Sequence, residues 1–239
     1  MIEIIAETGS TNADLAARLA AGEVLDERRW LVANRQVSGR GRQGRPWSDG
    51  AGNFMGSTAV PLHAGGLPAH TLSMVAAVAV HIAVLQVAPR IVGLTLKWPN
   101  DLLLDGAKLA GILLERRGDT VIVGIGVNLA QAPEVPERAV ASLAEAGYMV
   151  RRDDFAAALD GTWADALGLW RAGAWDQLRA DWIARAHPFG TALKVHGPAG
   201  EMLAGTFAGL DPDGALQLRL ANGTKRTIHA GEVDLDTRR

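Results

Sequence analysis

Apolar residues recur with two different periods along the chain, and the period changes close to residue 187. Before this point long apolar runs and three- to four-residue spacings predominate, whereas beyond it apolar and polar residues alternate. The first pattern is typical of helices with one buried face, and the second of half-buried strands. The sequence therefore predicts a larger unit of mixed structure, residues 1–187, followed by a small β unit, residues 188–239.

Seven segments of the larger unit have the composition of strands. They are residues 2–5, 30–33, 54–60, 93–96, 102–104, 108–115 and 121–128. Asp105-Gly106 is a two-residue hairpin signal between the fifth and sixth segments. The seventh is an unbroken apolar run, as expected of a central strand.

Helical spacing marks residues 14–21, residues 72–88 and the region after residue 150. In that last region Phe155, Leu159, Trp163, Leu167 and Trp170 recur three or four positions apart. Residues 72–88 carry no charge and are close to membrane-spanning length, but they are rich in alanine and interrupted by polar side chains. We therefore expect a helix buried inside the protein and no membrane partner.

The small β unit has short alternating segments around residues 193–195, 203–210 and 216–220. Turn signals at residues 211–214 and 222–223 separate them. About five short strands in this length of chain predict a small β-barrel.

Composition excludes several kinds of chemistry. The chain of 239 residues has a formal net charge of −2 and no cysteine, so disulfides, thiolate nucleophiles and cysteine-bound metals are ruled out. Its six histidines lack the short spacings of a zinc site. The first residues do not resemble a signal peptide, which predicts a cytoplasmic protein.

A run of three glycines and three arginines, residues 39–45, is the strongest candidate for a binding site. The glycines are Gly39, Gly41 and Gly44, and the arginines are Arg40, Arg42 and Arg45. Glycine lets a ligand approach the backbone, and the guanidinium groups match phosphate or carboxylate oxygens. The alternative is a solvated basic loop, because such short motifs often occur without function.

Other polar residues are open to two interpretations. Ser10, Thr11 and Asn12 precede a predicted helix, where they could cap it or bind a ureido or carboxylate group. Trp47 could stack on a ligand or pack in the core. Lys97, Lys108 and Asn128 lie at the ends or starts of predicted strands, and we hypothesise that they converge on one pocket.

Four motifs in series resemble those of biotin–protein ligases. Residues 39–45 resemble the family's GRGRxGR signature, and residues 97–101 with 108–113 resemble its KWPNDL and KLAGIL blocks. Ser10-Thr11-Asn12 upstream and Gly126-Val127-Asn128 downstream match further positions in the right order. The resemblance implies an α+β fold similar to the class II aminoacyl-tRNA synthetase core, with a mixed, mostly antiparallel sheet, flanking helices and a C-terminal SH3-like barrel.

The resemblance also implies an activity. The family activates biotin with ATP to give biotinyl-5′-AMP and pyrophosphate, and then transfers biotin to a lysine on the carrier domain of a biotin-dependent carboxylase such as acetyl-CoA carboxylase. Magnesium is implied by the use of ATP. Lys108 takes the bridging position between the biotin carboxylate and the α-phosphate, and Arg40 and Arg42 hold biotin and the adenylate.

The remaining site residues are assigned from the same resemblance. Gln36 with residues 10–12 is expected to bind the biotin head group. The nucleotide, phosphates and metal are expected near Lys97, Asn100, Asp101 and Asn128, with Asp101 as the candidate metal ligand. The other predicted binding residues are Gly39, Gly41, Arg45, Trp47 and Gly111.

Several alternatives stay open at this stage. A lipoate–protein ligase or octanoyl transferase shares the core fold, and a non-catalytic module could grip an anion without chemistry. Some family members have an N-terminal DNA-binding domain, but here the first motif begins at residue 10, so we expect no DNA binding. The sequence does not distinguish a monomer from a homodimer formed through a sheet edge or the barrel.

Overall fold

A seven-stranded mixed sheet organises the N-terminal part of the protein. The computed structural model describes residues 1–48, 50–136, 138–197 and 201–235. The strands are β1 (Ile2–Ile5), β2 (Trp30–Ala33), β3 (Phe54–Pro61), β4 (Leu94–Lys97), β5 (Asp101–Leu104), β6 (Ala107–Arg117) and β7 (Thr120–Val127). Their order in the sheet is β1-β2-β3-β7-β6-β5-β4. Only β1 and β2 pair in parallel among these strands, so the predicted mixed, mostly antiparallel sheet is confirmed.

The two faces of this sheet are covered unequally. One face packs against α2 (Leu72–Val87), α3 (Arg152–Arg171) and α4 (Trp175–Arg185), which together form the main core. The other face meets α1 (Thr11–Ala20), where Leu15 contacts Leu31, Ala59 and Ile122 in a small apolar cluster. Because α1 is short, it leaves the end of this face near the glycines of β6 and β7 uncovered.

Helix α2 is the charge-free segment that the sequence predicted to be buried. The stretch Ala69–Val87 is long and apolar enough to cross a membrane by length and composition, but 72% of it is buried within the protein. It lies between the sheet and helices α3 and α4. The prediction of a core helix is therefore confirmed.

Two local predictions are tested by the backbone. Asp105 and Gly106 have φ values of +49° and +83°, as a two-residue hairpin turn requires. Helix α1, in contrast, begins at Thr11, three residues earlier than predicted, and its N-cap Ser10 makes no side-chain capping bond. The side chains of Thr11 and Asn12 bond to other parts of the fold, so the capping interpretation was wrong.

The C-terminal unit is a five-stranded antiparallel sheet, which confirms the predicted β unit. Its strands are β8 (Ala192–His196), β9 (Met202–Leu210), β10 (Leu216–Arg219), β11 (Lys225–Ile228) and β12 (Glu232–Leu235). Its apolar residues join the same hydrophobic core as the N-terminal unit. Trp98 Nε1 donates to the Gly214 carbonyl at 3.1 Å, and Lys97 Nζ donates to the Val233 carbonyl at 3.0 Å. These bonds join the end of β4 and the residue after it to the C-terminal sheet, through the turn before β10 and through β12.

Candidate active site

A cavity of about 410 Å³ lies on the sheet face that α1 leaves uncovered. Its floor is the glycine-rich part of β6 and β7, and the N-terminus of α1 forms one end. The glycine–arginine loop, residues 133–136 with Arg138 and Val140, and strand β12 form the other walls. Chain segments far apart in sequence thus enclose a single space.

Every predicted site residue except Gly39 lines this cavity. These residues are Ser10, Thr11, Asn12, Gln36, Arg40, Gly41, Arg42, Arg45, Trp47, Lys97, Asn100, Asp101, Lys108, Gly111 and Asn128. Gly39 lies behind the wall, where a Cβ would stand 2.7 Å from the Trp47 carbonyl oxygen and 3.2 Å from Gln36 Nε2. The hypothesis that Lys97, Lys108 and Asn128 converge on one pocket is confirmed.

One end of the cavity is a buried network of hydrogen bonds. Gln36 Oε1 accepts from the Thr11 backbone N–H at 2.7 Å, and Thr11 Oγ1 lies 2.6 Å from Ser57 Oγ. Ser57 Oγ donates to Asn12 Oδ1 at 2.6 Å, and Asn12 Nδ2 donates to Glu115 Oε2 at 2.7 Å. This end can therefore hold a neutral, polar ligand group by directional hydrogen bonds.

Two lysines meet a buried carboxylate in the middle of the cavity. Lys108 Nζ lies 2.6 Å from Asp101 Oδ1, and Lys97 Nζ lies 3.2 Å from Asp101 Oδ2. Burial raises the pKa of Asp101, but the charges of Lys108 and Lys97 outweigh burial, so its pKa lies below the usual value. Asp101 is thus ionised and fixes both ammonium groups beside the cavity.

The arginines of the loop divide into bonded and unbonded groups. Arg42 Nη1 donates to Asn100 Oδ1 at 3.2 Å, and Arg45 pairs with Glu232 on β12. Glu232 also pairs with Arg138 at 3.3 Å. The Arg40 guanidinium has no hydrogen-bond or ion-pair partner among the residues that the structure describes. Its charge is available to an anionic ligand.

Trp47 lies across the cavity floor, where two glycines make room for it. A Cβ on Gly126 would stand 2.3 Å from Trp47 Cε2, and one on Gly111 would stand 3.1 Å from Trp47 Cζ3. These glycines face each other on neighbouring strands. The ring centroid lies 5.8 Å from Lys108 Nζ, and the buried Nε1 has no partner within the described chain. Trp47 therefore lines the cavity floor and is not a core residue.

The predicted metal role of Asp101 does not fit its surroundings. Both of its oxygens face lysine ammonium groups, whose positive charges would repel a metal cation. Within residues 1–48, 50–136, 138–197 and 201–235, no group of three or more acidic or histidine side chains could hold a metal ion.

Sequence reasoning missed four residues of the site. Ser57, Arg138 and Glu232 line the cavity, and Glu115 bonds to Asn12 at its edge. Strand alternation offered a signal for Glu115, because it follows Gly111 by four positions on β6 and so shares its face. Arg138 and Glu232 lie outside every motif, and only the packing of the C-terminal sheet brings them to the loop.

Joining a carboxylic acid to a nucleotide requires that two anions be brought together, so cations must gather at one point next to a specific acid-binding pocket. The separation of a hydrogen-bonding end from a lysine–arginine end meets this requirement. This division of the cavity, on a mixed sheet with flanking helices, is the arrangement of a ligase that activates a small organic acid.

Comparison with known proteins gives the family. The chain belongs to the biotin/lipoate A/B protein ligase family, whose profile matches residues 10–129, and the profile of the biotin protein ligase C-terminal domain matches residues 194–236. The first match spans every site residue predicted from the sequence. The resemblance inferred from the motifs is thereby confirmed.

Individual relatives cover nearly the whole chain. A biotin–[acetyl-CoA-carboxylase] ligase of Paracoccus denitrificans is 39% identical over 96% of this chain and 98% of its own length. One of Mycobacterium tuberculosis is 37% identical over 97% of this chain and 88% of its own. The biotin protein ligase of Aquifex aeolicus, solved with biotin and ATP, superposes with a TM-score of 0.84 at 25% identity, covering 98% of this chain and 97% of that one.

Proposed function

We propose that the protein is a biotin–protein ligase that makes biotinyl-5′-AMP from biotin and ATP and transfers biotin to a lysine of a biotin carboxyl carrier domain. The observation that carries this proposal is that one cavity brings together the hydrogen-bonding residues, the arginines of the loop and Lys108, which has Asp101 2.6 Å away. A ligand spanning the cavity would present its head group to one end and its carboxylate to Lys108.

In the first half-reaction a carboxylate oxygen of biotin attacks the α-phosphorus of ATP, and the bond to the β-phosphate oxygen breaks. Negative charge accumulates on the α-phosphate oxygens and on the departing pyrophosphate. Lys108 is suited to stabilise the charge on the α-phosphate. Arg40, whose guanidinium has no partner in the described chain, is suited to stabilise the charge on the pyrophosphate. Arg42, held by Asn100, would position the loop around the adenylate.

In the second half-reaction the lysine amine of the carrier attacks the carbonyl carbon of the mixed anhydride. The bond from that carbon to the phosphate oxygen breaks, AMP leaves, and the amine loses a proton. Lys108 would again offset charge on the leaving phosphate. Because the anhydride is sensitive to water, the loop of residues 39–45 and the Trp47 ring would shield it until the carrier arrives.

The remaining parts of the proposal concern partners. The carrier is a biotin carboxyl carrier domain of acetyl-CoA carboxylase or a related enzyme, the protein acts in the cytoplasm without binding DNA or a membrane, and ATP enters as its magnesium complex. A homodimer would have the edge strand β1 available for pairing, whereas Leu96 of the other edge strand, β4, bridges to Ala186.

Biotin-dependent exchange of pyrophosphate into ATP tests the first half-reaction. We expect exchange with biotin and none with lipoate or octanoate, because a ureido group satisfies the hydrogen-bonding end and an alkyl chain does not. Exchange with lipoate alone would shift the assignment to the lipoate ligases. Folded protein that is silent with all three acids would support a module that binds without catalysis.

The variant Lys108→Ala tests the role of the central lysine. Asp101 keeps its pairing with Lys97, so we expect a folded protein whose exchange rate falls by about 100-fold or more. Lys225→Ala, on an exposed strand of the C-terminal sheet, is the matched control and should behave as the parent protein. An active Lys108→Ala variant would contradict the mechanism.

A further inference from the structure

The buried network at the end of the cavity finishes at a carboxylate that is not one of its lining residues. Asn12, only 5% exposed, donates from Nδ2 to Glu115 Oε2 at 2.7 Å. Glu115 lies on β6 opposite Ile122 of β7, on the face of the sheet that α1 covers. Arg117 approaches the same carboxylate at 3.5 Å from the outer side. The carboxylate is therefore held at the back of the site.

This carboxylate fixes which way the Asn12 amide points. An ionised carboxylate only accepts hydrogen bonds, so the amide nitrogen must face Glu115 and the amide oxygen must face Ser57. The reverse orientation would place two oxygens 2.7 Å apart. Asn12 also packs closely against β7, because its Oδ1 lies 2.3 Å from where a Cβ on Gly124 would stand.

The orientation of Asn12 in turn fixes the protons of two hydroxyl groups. Ser57 gives its single proton to Asn12 Oδ1, so the Thr11 hydroxyl is the donor in the 2.6 Å contact between Ser57 Oγ and Thr11 Oγ1. Gln36 Oε1, 3.0 Å from Thr11 Oγ1, is the second acceptor of this proton and also accepts from the Thr11 backbone N–H. Both hydroxyl oxygens then keep lone pairs for a ligand. Glu115 thus turns this end of the cavity into an acceptor of N–H groups.

We propose that Glu115 is a positioning residue for the biotin-binding pocket: acting through Asn12, it orients the Ser57 and Thr11 hydroxyls to accept the ureido N–H groups of the ligand. This inference rests on the function proposed above. A carboxylate is needed in this position because a neutral amide would allow the whole chain of hydrogen bonds to run in either direction.

The test measures pyrophosphate exchange for Glu115→Ala and Glu115→Gln at varied biotin and at varied ATP. We expect KM for biotin to rise about 10-fold in Glu115→Ala, because a tenfold change corresponds to about 1.4 kcal/mol, the range of one hydrogen bond to a charged group. Glu115→Gln should raise it about threefold, since one of its two orientations preserves the network. KM for ATP and kcat should stay unchanged, because the cationic end is not touched.

Two further comparisons separate positioning from a general structural role. In an Asn12→Ala background, Glu115→Ala should have no additional effect on KM for biotin, because the carboxylate acts only through Asn12. Desthiobiotin keeps the ureido group but lacks the sulfur ring, so its KM should rise by the same factor as that of biotin. Arg117→Ala removes the other partner of Glu115 and is the matched control, with KM expected at the parent value.

The outcomes are distinguishable from failure of the proposed function, which would show as no biotin-dependent exchange by the parent protein. Given an active parent, an unchanged KM for biotin in Glu115→Gln overturns the positioning role. The positioning role is also overturned if kcat falls by as large a factor as KM for biotin rises. It is overturned as well if the effect of Glu115→Ala on KM adds fully to that of Asn12→Ala. If Glu115→Ala does not fold, Glu115→Gln is measured in the parent protein and in the Asn12→Ala variant, and the same criteria apply.

Discussion

Replacing Gly126 by alanine should damage the site through a single clash with Trp47. The added Cβ would stand 2.3 Å from Trp47 Cε2, 2.4 Å from Cζ2 and 2.8 Å from Nε1. Strand β7 cannot move away, because it is hydrogen-bonded along its length to β3 and β6. The indole, which sits on a loop, must therefore leave the cavity floor by about 1 Å or more, since ordinary contacts begin near 3.5 Å.

The cost of this displacement has an upper bound. An indole that loses about 100 Å² of buried surface gives up about 2.5 kcal/mol. Overpacking in protein cores costs about 1–3 kcal/mol, which agrees with that bound. We therefore expect Gly126→Ala to lose about 1–2 kcal/mol of unfolding free energy, or about 2–8 °C in Tm for a chain of this size.

The effect on the reaction should exceed the effect on stability. Trp47 carries the end of the glycine–arginine loop, so its displacement moves Arg40 and Arg42 relative to Lys108. A misplacement of about 1 Å in a catalytic site costs up to about 100-fold in rate, and we expect biotin-dependent exchange to fall by about 10- to 100-fold. Denaturant unfolding and initial exchange rates measure the two quantities.

A control and a double variant make this prediction refutable. Gly168→Ala, in α3, adds a Cβ that meets nothing within 4 Å and should stabilise the protein by about 0.5–1 kcal/mol without changing the rate. Because the clash is with Trp47, adding Gly126→Ala to Trp47→Ala should cost little further stability. An active, stable Gly126→Ala variant would show that Trp47 does not lie on the floor.

Four further predictions follow from the charges and the loop. Asp101→Asn leaves two lysine ammonium groups without their buried partner, so it should cost about 3 kcal/mol in denaturant unfolding, and an unchanged midpoint would contradict the pairing. The hydrogen bond from Arg18 lowers the pKa of Glu3 to about 2. The ionised Glu3 therefore contributes roughly 1–2 kcal/mol of unfolding free energy after allowance for solvent, which is present above pH 4.5 and lost as the pH falls towards 2. Glu3→Gln should flatten the dependence of unfolding free energy on pH in this range. Burial lowers the pKa of His81 to about 4, so stability should fall between pH 6.5 and 4, and a His81→Gln variant that keeps the full slope would count against this. Residues 39–45 should gain hydrogen-exchange protection when biotin and ATP bind, and equal protection with and without them would exclude a closing loop.

The sequence by itself determined the local structure and the chemistry that each segment brings. Apolar periods located the seven strands of the larger sheet, the buried helix α2 and the β strands of the C-terminal part. Turn chemistry placed the hairpin at Asp105-Gly106. The motifs and the family resemblance named fifteen residues that line one cavity, because binding groups of this kind are presented at the ends of strands and in the loops between them.

Only the tertiary structure decided which of these groups touch. Asn12 and Glu115 are 103 positions apart, and Arg45 and Glu232 are 187 apart, so neither pairing leaves a trace in local spacing. The same packing placed both oxygens of Asp101 against lysines, where the sequence suggested a metal ligand. Periodicity reports the environment of one segment at a time, whereas such contacts depend on how strands register and how the C-terminal sheet docks. Long-range packing therefore fixed the partner, and with it the role, of each charged group.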